Sequence, residues 1–487
     1  MPTHPIGITP TTASTMPKNI LLVIADDLGR NLGVCGEHRI KTPNLDRLAA
    51  QGTYFSMAFA STASCSGSRS VIQTGLHTHE NGQIGLLRGF GGLHYFTTFD
   101  HVESSPRLFN RLGYKTGIVN KVHVGPDTVY PWGFREESAT RDVAWTASRA
   151  GEFFRMARSD GQPFFLTVAY IDPHRDHTRG GFGNSQEYPS VTELKYDPAD
   201  VVIPPFLTDV PEVRQELAEY YSAVWRMDQG VGLLLAELEK AGYADDTLVL
   251  FTSDNGPPFV NSKSTLYDAG VHLPLIVRAP GGTPGVVNPN LISFVDILPT
   301  FLDWAGHPEL NVDAKRKGRS FLPILGETTA LPGWDHVFGS HTFHELTAYY
   351  PTRFLRTRRY KYHRNVAWQL DFPFPGDLYG AHSWEGMRNA EGALIGKRTI
   401  ANYIRRGPEE LFDLQEDPDE VHNLAKDPAH NDILLDCRKR LEAWQLATAD
   451  PWYFRDGIST RVIYNHIDAG MKMPDRWDFD VDNPGNR

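Results

Sequence analysis

Asn19-Ile-Leu-Leu-Val-Ile-Ala-Asp-Asp27 is an unbroken apolar run that ends in two adjacent carboxylates. A short apolar run bounded by polar residues reads as a buried strand. Further strands are expected at YKTGIVNK (114–121), PFFLTVAYID (163–172), TLVLFTSD (247–254) and LPLIVRAP (273–280). Helical patterns lie between them. TPNLDRLAAQG offers Thr42 as N-cap, Pro43 at the first helical position and Gly52 as terminator. SSPRLFNRLG and SFVDILPTFLDWAG are two more helices, and residues 211–241 form the longest, with a break expected at Gly230. Strands alternating with helices predict an α/β fold, a large mixed, mostly parallel sheet sandwiched by helices.

From about residue 340 the character changes. RFLRTRRYKYHR and ELFDLQEDPDEVHNLA read as strand, turn and helix pieces of a smaller α+β domain built on an antiparallel sheet. The expected division is a flexible leader over 1–17, a catalytic domain over 18–345 and a C-terminal domain over 346–487. Residues 365–400 are loop-rich and carry no clear pattern.

The 487 residues are 40% hydrophobic and 22% charged, enough for a sizeable core. The formal charge is -11 and basic residues are dispersed, which argues against nucleic-acid binding but leaves room for a local basic pocket. Cys35, Cys65 and Cys437 are too few for a disulfide framework; Cys35 and Cys437 read as inert. No run approaches the ~18 apolar residues of a membrane span. The first residues, rich in Thr and Pro, show no signal peptide, so the expectation is a cytoplasmic enzyme; secretion by an unconventional route stays open.

Open α/β sheets bind ligands at the carboxyl ends of their strands. Here those ends carry Asp26 and Asp27, Lys121 and His123, Asp172 and His174, and Asp254-Asn255-Gly256. A single acidic strand end is commonly a solvated cap; four reactive ends on one edge favour a single site. Asp26, Asp27, Asp254 and Asn255 form an all-oxygen ligand set, suited to calcium or magnesium and poor for zinc.

Ser61-Thr-Ala-Ser-Cys65-Ser-Gly-Ser-Arg69-Ser-Val-Ile-Gln-Thr-Gly75 adds a second element. A helix starting near Ser66 and stopping at Gly75 puts Cys65 at its N-terminus, with Arg69 on the same face. Free N–H groups, the helix dipole and a guanidinium then converge on a site for a tetrahedral oxyanion, a sulfate or phosphate group. The expectation for Cys65 is enhanced thiolate character. A soft thiolate is a poor companion to a hard cation. Either Cys65 stays a thiol apart from the ion, or it is converted to a group bearing oxygen.

At these residues the sequence resembles the sulfatases of the alkaline-phosphatase-like superfamily. Their signature Cys-X-Pro/Ala-X-Arg followed by Thr-Gly matches Cys65-Ser-Gly-Ser-Arg69 and Thr74-Gly75, except at Gly67. Further phrases, among them NKVHVGPDTVYP, DPHR, RMDQGVGLLLAEL, TLVLFTSDNGPPF and FGSHTFHELTAYYPTR, are similar to the sulfamidase branch from Asn19 to about Trp452.

The resemblance implies that Cys65 becomes formylglycine, whose hydrate is the nucleophile. Asp26, Asp27, Asp254 and Asn255 would hold Ca²⁺, with Mg²⁺ or Mn²⁺ as alternatives. Arg69 would stabilise residue 65, and Lys121 and Lys263 would clamp the sulfuryl oxygens. His123 would take a proton as sulfate leaves, and His174 would protonate the leaving nitrogen or oxygen. Lys263 stands where the branch carries arginine, replacing a fork by a point charge. His341 and His344 would sit at the pocket rim. The implied partners are a small sulfated or sulfamate substrate and a formylglycine-generating enzyme. Glycine at 67 frees a backbone that proline would fix, so the recognition peptide is less preorganised. The alternatives are a phosphate or phosphonate monoester hydrolase on the same scaffold, and a non-catalytic binder of sulfated ligands if Cys65 stays unmodified.

Overall fold

In the computed structural model, residues 18–87, 95–188, 190–311, 316–453, 466 and 469–471 are described; the expected leader over 1–17 lies outside them. The main sheet has eight strands: β1 Asn19–Ala25, β2 Thr53–Phe59, β3 Lys115–Asn120, β4 Phe134–Glu137, β5 Phe164–Ala169, β6 Thr247–Ser253, β7 His272–Arg278 and β8 Val286–Ser293. They lie in the order β4-β3-β5-β1-β6-β7-β2-β8. From β4 to β6 every neighbouring pair is parallel. β7 runs antiparallel to both β6 and β2, and β8 is parallel to β2. The sheet is therefore mixed and mostly parallel, as the alternating pattern predicts.

All of β1 is buried because its side chains alternate between two cores. Leu21, Val23 and Ala25 enter one, and Ile20, Leu22 and Ile24 the other. The first core is covered by α1 (Pro43–Ala50), α5 (Val143–Asp160) and α6 (Pro211–Lys240), the second by α2 (Cys65–Thr74), α4 (Ser105–Arg111) and α8 (Ile297–Trp304). The short helices α3 (Thr78–Asn81) and α7 (Asp268–Val271) sit in connecting segments.

Two local expectations change. α6 runs unbroken through Gly230, where a Cβ would lie 2.7 Å from Val143 and 2.8 Å from Tyr170. The glycine serves close packing of α6 against α5 and the end of β5. Thr42 occupies the N-cap position of α1 but does not cap it. Its hydroxyl accepts from the Gly33 N–H, and Asp228 on α6 accepts from the N–H groups of Asn44 and Leu45 instead.

A second sheet is antiparallel throughout, in the order β14-β11-β10-β9: β9 His336–Phe343, β10 Tyr349–Thr357, β11 Tyr360–Asn365 and β14 Glu409–Asp413. Its first strand begins at His336, ahead of residue 345. Between β11 and β14 come α9 (Gly376–Tyr379), α10 (His382–Asn389), the two-residue strands β12 (Leu394–Ile395) and β13 (Arg398–Thr399), and α11 (Ile400–Ile404). The helix α12 (Asn431–Ala447) packs Leu434, Cys437, Leu441 and Trp444 against Leu355, Tyr362 and Leu411 of this sheet. Val337 and Phe354 join the main core, so the two sheets are continuous in packing. Arg353 of β10 and Asp450, just past α12, both fully buried, hold that helix end to the antiparallel sheet with a bidentate ion pair at 2.7 and 2.8 Å. Among the described residues no helix is long and apolar enough to cross a membrane.

Candidate active site

Because β1, β3, β5 and β6 are parallel neighbours, their carboxyl ends open on one edge. β1 delivers Asp26 and Asp27, both fully buried. β6 delivers Asp254 and Asn255, also buried. Asp254 Oδ1 accepts from the backbone N–H of Asp27 at 3.0 Å, and Asn255 Nδ2 donates to Asp27 Oδ1 at 2.7 Å. The two strand ends are thus locked together.

The third element is α2. It begins at Cys65 and ends before Gly75, whose left-handed φ of 66° terminates it. Arg69 lies one turn on and donates from Nε to Asp254 Oδ2 at 2.9 Å. Its Nη2 stands 3.4 Å from Asp26 Oδ1. Cys65 Sγ is 3.9 Å from Asp27 Oδ1. Its sulfur shares one small space with oxygens of Asp26 and Asp254 on one side and with Asp27 and His174 on the other.

β3 brings Lys121 and His123, though by a different route from a strand that presents alternate residues. The strand ends at Asn120, and both Asn120 and His123 have left-handed backbones, φ 73° and 53°. Asp27, Asn261 and Ser264 share that conformation at 61°, 64° and 66°. Non-glycine residues adopt it at a cost of order 1–3 kcal/mol, and such strain collects where a site must be aimed. Lys121 Nζ donates to Asp26 Oδ2. His174 follows β5 on a turn fixed by Asp172, whose carboxylate takes the guanidinium groups of Arg226 and Arg141. Arg141 also donates to the His174 carbonyl at 2.8 Å.

Lys263 closes the far side. Its Nζ donates to Asp27 Oδ2 at 2.9 Å and Asp377 Oδ2 at 2.8 Å, and lies 3.3 Å from His174 Nε2. His341 and His344 sit behind the start of α2, bonded to Thr62 and to Ser64. Asp377 on α9 joins the site without a sequence signal. In FPFPGDLYG it reads as an ordinary acid in a first helical turn, and nothing in the sequence aims it at residue 263. Asp26, Asp27, Cys65, Arg69, Lys121, His123, His174, Asp254, Asn255 and Lys263 meet in this one cluster, whereas His341 and His344, expected at the pocket rim, are buried behind it.

Charge separates the roles. Burial would raise Asp26, but Lys121, His174 and Arg69 outweigh it and hold the carboxyl well below its usual range. Asp254 is pushed up to about 7 by burial and then by the Asp26 charge beside it. Burial, then Lys121 and Arg69, holds His123 well below 6.5, so its imidazole is neutral. Burial and Lys263 lower His174 as well. For Lys263 burial opposes the charge, but Asp27 and Asp377 prevail and raise it well above its usual value. The expected thiolate at Cys65 is overturned. Burial, with Asp254 and Asp26 nearby, pushes the thiol well above 9.0 and overrides Lys121 and Lys263.

A hard divalent cation suits this donor set. Asp26 Oδ1 and Asn255 Oδ1 are buried without a hydrogen-bond partner. Orphaned buried oxygens beside two further carboxylates are a costly arrangement that a cation relieves.

A family model described as Sulfatase matches residues 18–307. Human N-sulphoglucosamine sulphohydrolase is 39% identical over 464 residues, spanning 90% of this chain and 91% of that protein. A protein solved in complex with its substrate D-glucosamine-2-N,6-O-disulfate superposes with a TM-score of 0.64 at 19% identity, covering 89% of this chain and 99% of that one. The phosphonate monoester hydrolase of Agrobacterium radiobacter does so at 0.62 and 20% identity, covering 88% and 96%. The two solved structures establish a shared fold, and the match in sequence from the first strand onward goes further: the chain belongs to the sulfatase family.

Proposed function

We propose that the protein hydrolyses a sulfate ester or a sulfamate to inorganic sulfate, using a formylglycine made from Cys65 and a Ca²⁺ held by Asp26, Asp27, Asp254 and Asn255. The observation that carries this reading is the placing of Cys65, at the start of a helix, among three buried carboxylates and three cations. When formed and bound, formylglycine supplies an oxygen nucleophile and Ca²⁺ the charge that favours its ionised form.

The chain's own groups do the rest. Arg69, held by Asp254, sets a fixed positive charge beside residue 65. Lys121 and Lys263 flank the space where sulfuryl oxygens gain charge, and preorganised cations there supply most of the barrier lowering. His174 Nδ1 faces the Arg175 carbonyl at 2.6 Å and must donate to it. The neutral ring therefore keeps its lone pair on Nε2, the atom beside Lys263. Once protonated there, it delivers that proton to the leaving nitrogen or oxygen. Neutral His123 accepts the proton released as sulfate departs.

The test is intact-peptide mass spectrometry across Cys65 combined with sulfate release. Active protein carries formylglycine at residue 65, and Cys65→Ala loses turnover while still binding calcium. Only thiol at residue 65 in active enzyme would overturn the mechanism. Faster hydrolysis of nitrophenyl phosphate than of nitrophenyl sulfate would favour the phosphatase alternative.

A further inference from the structure

We propose that Tyr220 and Ser253 are positioning residues of the cation site: their buried hydroxyls hold the Asp27 and Asn255 turns in ligating shape, so that calcium affinity depends on them. The inference rests on the calcium-dependent reading above and deepens it.

The turn after β1 makes an uncommon demand on its backbone. Asp27 takes a left-handed φ of 61°, and the N–H groups of Leu28 and Gly29 both bond to side-chain oxygens rather than to a strand or helix. An aspartate that is not held relaxes toward extended or right-handed backbone, which swings its carboxylate away. Gly29 lies so close to the next ligand turn that a Cβ would stand 2.4 Å from the Pro257 ring. The turn carrying Asp27 is thus pressed against the segment that follows Asn255.

Two hydroxyls answer this turn in the same way. Tyr220, on α6, accepts from the Gly29 N–H at 3.1 Å and donates to the Asp27 carbonyl at 3.3 Å. Ser253, the last residue of β6, accepts from the Leu28 N–H at 2.9 Å and donates to the Asn255 carbonyl at 2.9 Å. The Ala25 carbonyl, at 3.3 Å, is its more distant acceptor. Each hydroxyl therefore gives its one proton to the carbonyl of a proposed ligand residue and a lone pair to the turn beside Asp27. Both side chains are fully buried. Phe182 and Phe259 flank the Tyr220 ring with centroids 5.8 and 5.7 Å away, which fixes where its oxygen stands. Burial pushes the phenol above its usual pKa, so the donated proton stays in place.

These hydroxyls act through Asp27 and Asn255, whose side chains face the ion. Ligands already held in shape bind a cation more tightly, because less of the chain must be ordered on binding. Removing either hydroxyl leaves a buried N–H and a carbonyl without that partner and frees the turn to rearrange. Tyr221 is the natural comparison. It follows Tyr220 on the same helix and packs in the same core. Its hydroxyl donates to the Val202 carbonyl at 3.4 Å and meets Asn31, beyond the 27–29 turn.

The test is chelator competition on the calcium-loaded protein, with graded EGTA and a calcium-sensitive dye that reports the ion released. Tyr220→Phe and Ser253→Ala should each raise the calcium Kd about 10- to 100-fold, the range for losing a group that orients a ligand. Tyr221→Phe should leave it near the wild-type value. The rise in unfolding midpoint on adding a fixed calcium concentration should shrink in the first two variants and persist in the third. A purely structural role would instead lower the midpoint equally with and without calcium. The two variants are independent, so one that fails to fold leaves the other to decide. An unchanged Kd in a folded Tyr220→Phe or Ser253→Ala protein, or an equal rise in Tyr221→Phe, overturns the assignment. Wild-type protein that binds no calcium instead overturns the proposed cation site, and this inference with it.

Discussion

Arg69 and Asp254 meet through a hydrogen bond of 2.9 Å with both side chains buried, and that contact ties the helix carrying residue 65 to the end of β6. It joins parts of the chain that are far apart in sequence. The helix terminus is aimed at the oxygen cluster by this pair rather than by the helix alone.

Arg69→Ala leaves Asp26 and Asp254 buried with less compensation. Breaking one side of a buried pair costs about 3–5 kcal/mol. The unfolding midpoint of metal-free protein should fall accordingly, and added calcium should recover part of the loss. A variant as stable as wild type without calcium would show that the carboxylates do not depend on Arg69.

Lys263→Ala removes a cation that contacts Asp27 and stands next to His174. With one donor to the developing charge gone, kcat should fall about 10²- to 10³-fold. Sulfate-release kinetics measure it, and a change confined to KM would show that Lys263 only binds substrate.

Gly67→Ala restores a residue of the family signature. A Cβ there would lie 3.0 Å from the Thr62 methyl and 3.2 Å from the Thr78 methyl, so both must yield slightly. Alanine favours the helix by about 1 kcal/mol, which offsets the crowding. Stability should stay within about 1 kcal/mol of wild type, while the converted fraction at residue 65, read by mass spectrometry, should rise in cells with a formylglycine-generating enzyme.

Buried histidines set the acid limit. Burial lowers His79 to about 4, His341 to about 3 and His363 to about 4. Their folded values lie below the unfolded 6.5, so the unfolded chain binds more protons between these limits. Their contribution is complete above about 6.5 and is lost as pH falls toward 4, of order 2 kcal/mol each. Unfolding midpoints measured from pH 8 to 4.5 should decline with acid, and His79→Gln should flatten the slope. A slope identical in the variant would mean that His79 titrates as in the unfolded chain.

Much of this was readable in advance because it is local. The strands at β1, β3, β5, β6 and β7 are continuous apolar runs, and α1 and α4 begin with Pro near the N-cap. β2, β4 and β8 carry no such continuous apolar run. β8 is interrupted by Asn288 and Pro289, and β4 is a short edge strand with exposed residues. Asp377 escaped because the surroundings that give it meaning belong to residues 174 and 263.

Which residues form strands, where helices start, and which chemical groups stand at the strand ends follow from neighbours a few positions apart, since pleat, turn and capping repeat over two to four residues. The reversed direction of β7, the left-handed turns at Asn120 and His123, the protonated thiol of Cys65 and the approach of Asp377 to Lys263 have no such local origin. They arise from strand order, desolvation and charges brought together across the whole fold, and so they exist only once the chain has closed on itself.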